Sequence, residues 1–98
     1  MTAVVLGDLL SLGARSSADL GDWLRASDPD AAERLALESA RRGESPAQFL
    51  RIAVSDFLAE ADEESWASLL SSARDAGDPG AACAARMIAF RLLLETPR

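Results

Sequence analysis

The stretch Gly43-Glu44-Ser45-Pro46 constrains this chain more than any other. Glycine takes the left-handed conformation that ends a helix without a side-chain penalty. Serine caps the next helix, proline fills its first position without losing a hydrogen bond, and Gln48 completes a capping box. A stop and a start this close predict a helical hairpin at the centre of the chain, with helices near 29–42 and 46–61.

The flanking residues agree with that hairpin. Asp28-Pro29 opens the first helix with an acceptor for the free N–H groups of its first turn. Asp30 and Glu33 sit near its positive end, Arg41 and Arg42 near its negative end. Its face of Ala32, Leu35, Ala36, Ser39 and Ala40 is small enough to let another helix approach closely. The second helix carries Phe49, Leu50, Ala53, Val54, Phe57, Leu58 and Ala61, a wide apolar stripe suited to a core or a dimer interface.

The remaining segments extend the pattern. Ser16 caps a short helix whose Leu20, Trp23 and Leu24 share a face. Asp62 opens another, with Trp66, Leu69, Leu70 and Ala73 inward and Gly77 at its end. Asp78-Pro79 starts an apolar C-terminal helix over 79–95, hydrophobic around most of its circumference and suited to a central position or an oligomer interface. Val5, Leu6, Leu9 and Leu10 have helical spacing within 3–12, and residues 3–6 are also readable as a short strand. Alanine and leucine dominate, β-branched residues are scarce and tyrosine is absent, which are helix-forming choices. The expected fold is all-α: residues 1–98 as one domain, a compact bundle of five to six short helices.

Charge narrows the partners. The formal net charge is −6 and every basic residue is arginine. Residues 31–51 hold four arginines against three acids, whereas 52–98 hold eight acids against four arginines. No base lies between Ile52 and Ala73, where Asp56, Glu60, Asp62, Glu63 and Glu64 cluster. Such a surface disfavours nucleic acid and anionic membrane, and it suits a basic protein partner. A solvated face is the simpler reading of the same run. The single cysteine, Cys83, suits a reducing compartment. No signal peptide or bilayer-length apolar run is evident, so a cytoplasmic location is expected.

The chemistry-bearing residues are few. Histidine, lysine and tyrosine, the usual general acids and bases beside the carboxylates, are absent. Cys83 lies in an alanine-rich helix, where a small buried residue is expected rather than a nucleophile. Asp56, Glu60, Glu63 and Glu64 would share a face only on an unbroken helix, and Asp62 breaks it, so solvated charge is expected there rather than a metal site. Trp23 and Trp66 read as one large core residue per short helix, with interface anchors as the functional alternative. No catalytic residue, metal site or cofactor is expected.

Leu35, Ala40, Gly43, Ser45, Phe49-Leu50-Arg51, Ala53-Val54 and Phe57-Leu58, within residues 29–58, resemble the two helices of the ribbon-helix-helix (MetJ/Arc-type) superfamily. That resemblance implies an intertwined dimer, an N-terminal strand that reads the DNA major groove, and a phosphate held at the start of the second helix. The matching position for the phosphate contact is Ser45, and Arg41 and Arg42 are placed to approach the same phosphate. The chain departs from the family at residues 18–27, which show helix signals and no basic, alternating strand. The expected function is therefore that of a small acidic helical protein acting by protein–protein interaction, as accessory subunit, adaptor or inhibitor. A homodimer is expected, with Phe49, Leu50, Val54, Phe57, Leu58, Met87 and Phe90 as candidate interface residues. The alternative is a ribbon-helix-helix-like transcriptional regulator or antitoxin.

Overall fold

Residues 16–95 are described by the computed structural model, and they form five α-helices and no strand. These are α1 (Ser17–Ser27), α2 (Pro29–Arg42), α3 (Pro46–Glu60), α4 (Glu63–Asp75) and α5 (Pro79–Glu95). The all-α expectation holds for this part of the chain. The segment over 3–12, with its choice of helix or strand at 3–6, lies outside the described residues.

Every helix begins on a side-chain acceptor. Ser16, Asp28, Ser45, Asp62 and Asp78 accept from the backbone N–H of Asp19, Ala31, Gln48, Ser65 and Ala81, at 2.8–3.2 Å. Each cap satisfies a donor that the helix itself leaves free, worth about 1 kcal/mol. Asp28 also closes α1, its N–H donating to Leu24 O, so one residue separates the first two helices. The third helix stops at Glu60 rather than 61, because Ala61 turns to an extended backbone (φ −68°, ψ 135°) that frees Asp62 to cap α4.

The hairpin turn between α2 and α3 closes on Gly43, which has φ 69°. The N–H of Glu44 reaches back to Ser39 O at 2.9 Å and that of Gly43 to Ala40 O at 3.2 Å. This pair of bonds satisfies the last carbonyls of α2 and aims the chain directly into the Ser45 cap.

The fifth helix packs against all four others, most extensively against α3 and α4. Its Ala81, Cys83, Ala84, Met87 and Ile88 meet Phe49, Leu50, Ala53 and Phe57 of α3, Leu69 and Ala73 of α4, and the leucines of α1 and α2 in one core. Burial of these side chains is the main favourable term of folding. The Cα radius of gyration is 12.4 Å, close to the roughly 13 Å of a folded chain of about 100 residues.

The N-terminal end of α5 is clasped by α1. Trp23 Nε1 donates to Asp78 Oδ2 at 2.8 Å, while Asp78 Oδ1 caps α5. The indole lies over Gly80, where an added Cβ would stand 3.3 Å from Trp23 Cζ2. Glycine is needed there for close approach rather than for backbone conformation.

Gly43→Ala should destabilise the protein by about 1 kcal/mol, because a Cβ is strained at this positive φ. Urea denaturation checks this as a lowered midpoint with an unchanged slope.

Candidate functional site

An arginine inside the core organises one end of the molecule. Arg91 comes from the middle of an apolar run on α5 and is 4% exposed. A guanidinium cannot be buried unless its charge and its donors are matched. Nη1 and Nη2 of Arg91 donate to the two carboxylate oxygens of Glu44 at 2.9 and 3.0 Å, a parallel fork. Nε donates to Glu95 one turn along α5 at 3.0 Å, and Nη1 also donates to Phe49 O at 3.2 Å. The guanidinium carbon lies 4.2 Å from the centroid of the Phe49 ring, a cation–π stack.

The cluster continues outward. Arg42 donates to Glu95, to Glu38 Oε1 at 2.6 Å and to Glu38 O at 3.0 Å, and its guanidinium stands 5.3 Å from the same Phe49 ring. Arg41, on the exposed side, pairs with Glu38 at 3.2 Å. The chain Glu38–Arg42–Glu95–Arg91–Glu44 therefore joins the end of α2, the hairpin turn and the end of α5. Hydrogen bonds from Arg91 hold the Glu44 carboxyl below its ordinary value, against the opposing effect of burial. Arg42 does the same for Glu38. At Glu95 burial pushes upward, and the hydrogen bonds from Arg42 and Arg91 together outweigh it.

This arrangement has the makings of a structural clamp rather than a reacting centre. Its donors and acceptors are spent on one another. Among the described residues, no buried side-chain N or O lacks a partner, and no three potential metal ligands come together.

Two surface depressions lie elsewhere, beside α5. The first, of 380 Å³, runs between α4 and α5. Phe57, Ala89, Phe90 and Leu93 supply its apolar walls, Asp62 and Glu64 its acidic edge. Phe57 is packed edge-on by Trp66 at 4.9 Å and by Phe90 at 5.0 Å between ring centroids, so three helices hold the aromatic wall in place. A second groove of 390 Å³ is lined by Asp28, Asp30, Arg34 and the alanines of α2 and α5. Arg86 borders both grooves and donates to Ser72 Oγ at 3.0 Å.

The candidate interface residues divide by burial. Phe49, Leu50, Phe57 and Met87 are core side chains of this chain, none more than 2% exposed. Val54 and Phe90 are half-buried, and Leu58 is 46% exposed. Of the seven, Phe57 and Phe90 meet at the groove. Arg41, Arg42 and Ser45 gather around the hairpin turn. Ser45 Oγ is taken by the Gln48 N–H and Arg42 by its two glutamates, which leaves Arg41 as the exposed cation of the three. Residues 18–27 lie in α1. Cys83 is buried in α5, and Asp56, Glu60, Glu63 and Glu64 fall on two helices separated by Ala61 and Asp62.

The residue that sequence reasoning missed is Arg91. Its signal was an arginine in an apolar run with Glu95 four positions on, a spacing that pairs charges on one helix face. Comparison with known protein families, characterised proteins and solved structures finds no match to this chain.

Arg91→Ala should cost about 3 kcal/mol or more, because it leaves Glu44 without its partner in a partly buried place. The loss is read as a lowered urea midpoint. The pH dependence has a definite sign. A carboxylate held low in the folded state contributes fully above its ordinary pKa of 4.5 and loses that contribution as pH falls through the lowered value. Stability measured by thermal melting should therefore fall as the pH drops below about 4.5, and Glu44→Gln should flatten that fall.

Proposed function

We propose that this protein acts by binding another protein, as an accessory subunit, adaptor or inhibitor, and performs no catalysis of its own. The observation that carries this reading is the groove beside α4 and α5, where Leu93 stands 74% exposed next to an aromatic wall. Leu94, its neighbour in the chain, is 50% exposed. Single exposed leucines are ordinary on a protein surface, whereas a cluster beside a preformed depression is a feature of recognition sites.

The charge distribution supports the same reading. The acids of the clamp are neutralised inside the molecule. Glu60, Glu63 and Glu64 take part in no ion pair among the described residues. An outer surface of this sign raises the encounter rate with a basic partner and repels anionic ones. Self-association remains part of the proposal through Val54 and Leu58, outside the groove, which keep some exposed surface in the single chain.

No helix among the described residues is long and apolar enough to cross a membrane. The interaction surface therefore does not have to be shared with a spanning helix in this part of the chain.

Affinity capture from the native host, followed by reconstitution with the purified captured protein, tests the reading. We expect a stoichiometric complex that Leu93→Glu weakens while leaving the circular dichroism unchanged. Light scattering on the same samples should give twice the chain mass for the free protein if Val54 and Leu58 pair two copies. Failure to reconstitute any complex would overturn the binding reading.

A further inference from the structure

The groove between α4 and α5 has a floor that is set before anything binds. Phe57 is 2% exposed and locked between Trp66 and Phe90 at interplanar angles of 77° and 67°. A fixed apolar wall avoids the ordering cost that weakens recognition by mobile surfaces. Phe90 and Leu93 lie one turn apart on α5, and Ala89, small and exposed beside them, leaves room for a side chain from outside. This is the geometry in which an amphipathic helix lays its apolar residues, spaced three and four apart, into a trough.

The edges select the occupant. Asp62 and Glu64 line one side, and Glu60 and Glu63 are exposed beside them. No arginine of the chain neutralises Glu60, Glu63 or Glu64 among the described residues. Arg86, the one basic residue among the described residues that line the groove, is drawn to Ser72. A second copy of this chain would bring a further net charge of −6 to an acidic edge, and nucleic acid would bring phosphates, so both are disfavoured by sign.

We propose that this groove receives the apolar face of a basic amphipathic helix belonging to a partner protein, whose arginines or lysines meet Asp62, Glu63 and Glu64. The inference rests on the protein-binding reading above and adds the place and the chemistry of the occupant. Leucine or methionine side chains fill the space against Phe57, Phe90 and Leu93, and the flanking cations supply orientation. A volume of 380 Å³ is at the small end of the range for ligand pockets, about 300–1,000 Å³, which suits a few side chains rather than a large cofactor.

The test uses the full chain, isotope-labelled, and a synthetic amphipathic helical peptide with leucine on one face and arginine on the other. A twin peptide carries glutamate in place of arginine. We expect the arginine peptide to shift the amide signals of Ser65, Ser68, Ala89 and Leu93. The glutamate twin should bind at least about tenfold more weakly. Leu93→Ser and Ala89→Arg should each weaken the arginine peptide by about tenfold or more with the urea midpoint unchanged. Absence of binding by the arginine peptide overturns the proposal. So does binding that Leu93→Ser leaves intact, which would be charge attraction alone. Shifts centred on Leu37 or Leu70, or a doubling of mass without peptide that covers Ala89 and Leu93, would also overturn it. These last outcomes remove the groove or its occupant and leave protein binding standing, whereas failure of the reconstituted complex removes the broader reading.

Discussion

The pairing of Arg91 with Glu44 is the constraint on which the rest of this structure depends. A guanidinium at 4% exposure is tolerable only because a carboxylate, a second carboxylate, a backbone carbonyl and an aromatic face all converge on it. Those groups come from three pieces of the fold, the hairpin turn, α3 and α5. The carboxylate of Glu44 is in place because Gly43 takes its left-handed turn. The carbonyl of Phe49 is near the start of α3, and Glu95 is at the end of α5. The pair therefore makes the hairpin turn and the last helix hold one another in position, across 47 residues of sequence. Its net worth over an apolar core of the same shape is small by general experience, but its geometry admits one arrangement of these elements.

The fold was largely legible in the sequence because its signals are local. Asp28, Ser45, Asp62 and Asp78 announce helix starts through chemistry that acts over three residues, and Gly43 announces a stop in the same way. The functional surface was less legible. The stripe Phe49, Leu50, Val54, Phe57, Leu58 has one periodicity whether it faces the chain's own core or a partner. Which of these side chains is covered depends on where α5 lies, a nonlocal fact. Arg91 shows the same limit: within its own helix it reads as an interruption, and only Glu44, far away in sequence, makes it a pivot. The groove at Phe57 and Phe90 likewise forms from three helices whose meeting no single segment records.

Six glutamates fall into two groups with different consequences. Glu38, Glu44 and Glu95 are bound to arginines, and their charges are spent within the molecule. Glu60, Glu63 and Glu64 are left to solvent, partly in service of the α4 dipole. The second group therefore adds its charge to the outward field. The protein meets other molecules as a more sharply polarised object than its net charge suggests, acidic around the start of α4 and locally compensated around the hairpin.

The contact of Trp23 with Gly80 carries a consequence for how such a chain can change over time. The indole fills the space that a side chain at position 80 would need, while its N–H holds the same aspartate that begins α5. Positions 23, 78 and 80 are thus coupled by direct contact. A larger residue at 80 becomes acceptable once 23 shrinks, and a smaller residue at 23 leaves one oxygen of Asp78 without its donor. A change at one position of this junction is therefore felt directly at the other two.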